Sequence, residues 1–166
     1  MRPTTMLTGL AAMILTTSLL AQDTPNFAGT WTLVPDAGAP QSGGRGGGAG
    51  GGMLGLGQQA TIAQDAKTLT ITRTTQVGEM KIVYNLDSSK STNRMTFGEN
   101  SFEQVSVAKW DGARLVITTS LNAQGTVFEA TMQLSLEGGN LAIETTRPDF
   151  LGGGSPITTK LTYKKS

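Results

Sequence analysis

The chain has 166 residues, with 13 lysines and arginines against 12 acids and neither histidine nor cysteine. The missing residue types exclude disulfides, thiolate metal sites, thiol nucleophiles and a Ser-His-Asp triad. The even charge balance argues against nucleic acid and anionic lipid as partners, since both need clustered, unneutralised cations.

Residues 1–21, MRPTTMLTGLAAMILTTSLLA, place Arg2 ahead of an apolar run without an acid and end at Ala21 before the polar QDTPN. That is the layout of a cleaved secretory signal peptide. The run is broken by Thr8, Thr16, Thr17 and Ser18, and it falls short of the roughly 20 apolar residues a spanning helix needs. Integral membrane insertion is therefore not expected, and the mature protein is expected in the periplasm or outside the cell. Residues 22–166 are expected to form one domain, large enough to bury about two-thirds of its surface.

In Asn26 to Pro35, NFAGTWTLVP, the residues Phe27, Gly29, Trp31 and Leu33 alternate with Thr30, Thr32 and Val34, which predicts a strand over 27–34. Gly43 to Gly57 then holds ten glycines in fifteen residues. Such a run has nothing to bury and much backbone freedom to lose, so 43–57 is expected to be a flexible excursion. It lacks the Lys-Ser or Lys-Thr pair of a phosphate-binding loop. Met53, Leu54 and Leu56 are its only residues suited to docking on an apolar surface.

Beyond Gln58 the period is two, rich in Thr, Val and Ile, as in half-buried strands. Strands are predicted over 59–65, 68–75, 79–86, 93–97, 102–110, 114–121, 125–136, 140–147 and 157–164. Their apolar faces are Leu69 and Ile71; Met80, Ile82, Tyr84 and Leu86; Phe128, Ala130, Met132, Leu134 and Leu136; and Ile157, Thr159, Leu161 and Tyr163. No window shows the apolar spacing of an amphipathic helix. A weak repeat puts an acid four residues before a leucine and six before an isoleucine: Asp65, Leu69, Ile71; Asp111, Leu115, Ile117; Glu137, Leu141, Ile143. Each repeat reads as strand, tight turn, strand, with Asp111-Gly112 the clearest hairpin signal. Successive hairpins make a meander, and a twisted meander this long either closes or leaves two exposed edges.

Catalytic chemistry finds little support. DSSKSTN, Asp87 to Asn93, holds a serine and a lysine but reads as a solvated turn. The acids are scattered along strand ends, with no pair set apart for acid-base work. No enzyme activity, cofactor or metal site is expected. Arg73 continues the Leu69, Ile71 face and Arg147 the Ile143, Thr145 face. Either reaches inward toward a ligand carboxylate or carries its charge to water where the strand leaves the core.

Gly29-Thr30-Trp31, near the start of the first predicted strand, resembles the Gly-x-Trp of the lipocalin superfamily, and the whole pattern is similar to small secreted lipocalin-like proteins of Gram-negative bacteria. The resemblance implies an all-β fold, an up-and-down (meander) β-barrel with the tryptophan at its closed end. Lipocalins lay an arginine of the last strand across the indole, and here the chain departs from their pattern, offering Lys160, Lys164 and Lys165 instead. An interior lined by Trp31, Ile71, Arg73, Tyr84, Phe128, Met132, Leu134 and Tyr163 would hold a small apolar or amphipathic, hydrophobic ligand. The alternative is a solid-cored envelope or protein-interaction module.

Overall fold

A computed structural model describes residues 24–35, 54–75, 78–97, 100–123, 126–149 and 154–166. The expected signal peptide and most of the glycine-rich segment lie outside them. The described residues form ten strands: β1 Gly29–Leu33, β2 Gln59–Gln64, β3 Thr68–Thr75, β4 Gly78–Asn85, β5 Lys90–Phe97, β6 Asn100–Asp111, β7 Arg114–Ala123, β8 Thr126–Glu137, β9 Asn140–Arg147 and β10 Ile157–Lys165. Among them no helix is long and apolar enough to cross a membrane.

All pairings are antiparallel, in the spatial order β4-β3-β2-β1-β10-β9-β8-β7-β6-β5. First and last strands meet, Trp31 opposite Lys165 and Leu33 opposite Tyr163. The predicted meander is therefore an up-and-down barrel. The leucines and isoleucines of the repeat, Leu69, Ile71, Leu115, Ile117, Leu141 and Ile143, are all buried inside it. Threonines at alternate strand positions face out, where Thr30 meets Thr61 at 3.2 Å and Thr146 meets Thr158 at 2.9 Å across neighbouring strands. The turn between β8 and β9 is the two-residue Gly138-Gly139, with φ of 57° and 85°. Positive φ at both positions matches the strand twist and favours glycine.

One junction departs from the hairpin expectation. β4 and β5 follow each other in sequence yet end the sheet order from opposite sides, with no backbone ladder between them. Side chains close the seam instead. The Val83 amide donates to Asn93 Oδ1 at 2.8 Å and Asn93 Nδ2 donates to the Val83 carbonyl at 2.9 Å, so one carboxamide replaces a strand's paired bonds. The Asn85 amide donates to Ser91 Oγ at 2.7 Å, and Asn85 Nδ2 to the Lys90 carbonyl at 3.0 Å. These roles correct the reading of Asp87 to Asn93 as a turn: β5 begins at Lys90, and its polar residues are there to stitch the seam. Asn93→Leu leaves both Val83 groups without partners, each a loss of about 1 to 3 kcal/mol when buried. We expect a lower urea midpoint, by about 2 kcal/mol in stability, with faster hydrogen exchange at the Val83 amide; unchanged exchange there would mean the seam is held by something else.

At one end the chain before β1 folds across the barrel. Phe27 is fully buried and stacks on Trp110, ring centroids 5.9 Å apart. Its carbonyl accepts the Trp31 indole N–H at 2.8 Å. Gln64 clamps the segment, accepting from the Phe27 amide at 2.8 Å and donating to the Pro25 carbonyl at 2.9 Å. From β10, Lys165 extends its Nζ to 5.6 Å from the Trp31 ring centroid, a cation-π contact. Gly29 leaves room for it: its φ is 144°, and an added Cβ would stand 2.5 Å from Lys165 Cε. The closed end is thus built around Trp31, with a lysine laid across the indole.

The last residues of β1, β3, β5, β7 and β9 lie at the opposite end. There the glycine-rich expectation needs a correction. Leu56 is fully buried in the core, so the expected flexible segment does not extend to it; of the residues expected to dock on an apolar surface, Leu56 does so, and Met53 lies outside the described residues. Leu136 and Ile157, placed on inward faces by alternation, are 41% and 37% exposed. Both stand at strand ends. β1 pairs only with the last residues of β10, which leaves the first half of β10 without its cover.

Candidate functional site

Alternation in β3 turns Leu69, Ile71 and Arg73 inward, and in β4 it turns Met80, Ile82 and Tyr84 inward. β10 contributes Tyr163. Of the residues expected to line the interior, Trp31, Ile71, Arg73, Tyr84, Met132, Leu134 and Tyr163 are all buried. Phe128 is only half-buried, near the start of β8. The structure settles the two arginine readings differently: Arg73 is inside at 7% exposure, whereas Arg147, at the end of β9, is exposed.

Arg73 is bonded within the barrel. Its Nη1 donates to the Gly55 carbonyl and its Nη2 contacts Met80 Sδ at 3.4 Å. Tyr163 ties down the same segment, its hydroxyl donating to the Gly57 carbonyl at 3.1 Å. Burial pushes the guanidinium pKa down, and the phenols of Tyr84 and Tyr163 partly restore it. Burial also raises both phenols to about 12. Arg73 opposes that rise in each, which places the three groups within electrostatic reach of one another.

A polar stripe continues from Tyr84 across the seam into β6 and β7. The Gln104 amide neighbours the Tyr84 hydroxyl and weakly favours its ionised form. Gln104, Ser106 and Thr119 are 0%, 1% and 2% exposed. Ser106 Oγ and Thr119 Oγ1 lie 2.9 Å apart, while Gln104 Nε2 reaches them at 3.5 and 3.4 Å. Sequence reading missed all three, because β6 shows its apolar residues, Val105 and Val107, on the other face. A signal was present nonetheless. Directly opposed residues share a face, so the Asp111-Gly112 hairpin sets Ala108 opposite inward Ile117, and counting back by two reaches Ser106 and Gln104.

The outward valines have a consequence of their own. With Val116 they floor an open groove of about 450 Å³ on the outer face of β5 to β8, flanked by Lys90, Lys109 and Glu129. Among the described residues no cluster of His, Cys, Asp or Glu is arranged to hold a metal ion.

Ten antiparallel strands in an up-and-down order, with a seam between β4 and β5 and a capped tryptophan at one end, define a nearly closed β-barrel. Solved structures of the same shape include a secretary abundant heat soluble (SAHS) protein from Ramazzottius varieornatus, with TM-score 0.54 and 14% identity over 84% of this chain and 95% of that one. They also include a variant of the fluorescent protein UnaG, with TM-score 0.54 and 17% identity over 84% of this chain and 96% of that one. At such identities the likeness concerns the fold alone. No protein-family model and no curated protein matches the chain.

Proposed function

We propose that the protein is exported and binds a small apolar or amphipathic molecule inside its barrel, without catalysing a reaction. The observation that carries this reading is the buried polar stripe of Arg73, Tyr84, Gln104, Ser106 and Thr119 within an otherwise apolar interior. Burying polar groups is costly unless they are bonded, and a solid structural core has no need of them. Orienting a ligand is what a few convergent polar groups in an apolar site do. The signal-like residues 1–21 support export, and the lack of histidine and cysteine leaves no ordinary base or thiol for catalysis.

Native mass spectrometry on protein secreted by its own cell tests the reading. The expected result is a bound molecule that leaves on acid denaturation and is absent when the protein is refolded from pure chain. A second reading, an interaction module, is favoured by the outer groove with its valine floor and lysine flanks. It takes precedence if the native protein carries no small molecule and travels with a protein instead.

A further inference from the structure

We propose that Gln104, Ser106 and Thr119 form the ligand's polar subsite, and that this subsite takes a neutral group bearing a hydrogen-bond donor. The proposal rests on the ligand-binding reading above and names the class of molecule.

Three features lead to it. The Ser106 and Thr119 hydroxyls, 2.9 Å apart, share one hydrogen bond, in which either can be the donor. Gln104 reaches them only at 3.5 and 3.4 Å, contacts too long to be strong. Its Oε1, fully enclosed, has no protein partner among the described residues. A buried amide oxygen is a strong acceptor whose desolvation goes uncompensated until a donor arrives. An N–H or O–H on the ligand supplies that donor.

Charge argues against an anion at the same place. Arg73, the cation of the stripe, is engaged with the Gly55 carbonyl, and Tyr84 and Tyr163 stay neutral through the physiological range. A carboxylate or sulfonate beside Gln104 would meet the negative end of its amide and lose its hydration without a counter-charge. Ile82, Ile117 and Met132 belong to the apolar core of the same barrel interior and suit an apolar ring or chain. The ligand class is therefore a neutral amphiphile such as an aryl amine, amide or alcohol.

Three probes of one shape separate the cases: N-phenyl-1-naphthylamine, with a single N–H; 1-phenoxynaphthalene, with an ether oxygen in its place; and 5-anilinonaphthalene-1-sulfonate, with an added anion. Fluorescence enhancement reads the amine and the sulfonate, and displacement of the amine reads the ether. The unaltered protein should bind the amine about tenfold more tightly than the ether, the size of one hydrogen bond to a neutral group, and more tightly than the sulfonate. Gln104→Met, close in volume but without the amide, should bring the amine down to the ether's affinity and leave the ether unchanged. Equal affinities for amine and ether, or a preference for the sulfonate, would overturn the subsite while leaving the barrel a ligand-binding one. Failure of all three probes to bind would overturn the ligand-binding reading and the subsite with it. The amine-ether comparison needs no variant, so it stands even if Gln104→Met does not fold.

Discussion

Trp31→Ala should lower the stability of the barrel by about 3 to 5 kcal/mol, the usual loss for a buried aromatic cut back to a methyl. Trp31 is 2% exposed and sits between the segment before β1 and the closing strand β10. Its indole N–H holds the carbonyl of Phe27, and its ring lies under Lys165 of the closing strand. Removal opens a cavity, orphans a carbonyl and unseats Phe27, which covers the barrel end through its stack on Trp110. Trp31→Phe restores part of the ring volume but not the N–H, and should recover only part of the loss. Urea denaturation of the three proteins reads the effect. A midpoint unmoved by Trp31→Ala would mean that the first strand and its cap do not hold the barrel shut.

Alkali should unfold the protein through its two tyrosines, the only ones in the chain. Both phenols are raised from 10.0 to about 12 in the folded state, chiefly by burial. A phenol is neutral when protonated, so below pH 10 both states hold the proton and stability is flat. Between pH 10 and 12 the unfolded chain ionises while the folded barrel does not. Unfolding then releases protons, and stability falls as pH rises, by about 1.4 kcal/mol per pH unit for each tyrosine. By pH 12 the loss is about 2 kcal/mol for each, a large share of the roughly 5 to 15 kcal/mol that holds an ordinary domain together. Phenolate absorbance at 295 nm in the native protein should stay silent until near pH 12 or until the fold collapses, whichever comes first. Tyr84→Phe should halve the slope of stability against pH. A native titration near pH 10 would mean that the phenols reach water and that the stripe is not enclosed.

Much of this architecture was legible before any coordinates. Period-two alternation located all ten strands, and the spacing from acid to leucine to isoleucine picked six residues that lie inside the barrel. Such signals are local: a strand with one wet face must alternate, and a tight turn needs residues that tolerate its dihedrals. What stayed hidden depends on partners distant in sequence. Lys90 to Asn93 looks like a turn because serine, threonine and asparagine favour turns; only the absence of a backbone ladder opposite β4 gives Ser91 and Asn93 their work. Leu56 was named as suited to docking, but its seat was not: Arg73 and Tyr163, distant in sequence, hold the carbonyls on either side of it.

By itself the sequence determined an all-β meander with a tryptophan near its start and neither histidine nor cysteine, because alternation, turn chemistry and composition are properties of neighbouring residues. Where the polar groups go was decided by pairing between strands. It turned the valines of β6 outward and Gln104 and Ser106 inward, since register in a closed barrel is inherited from the adjacent strand rather than chosen by each strand's own apolar face.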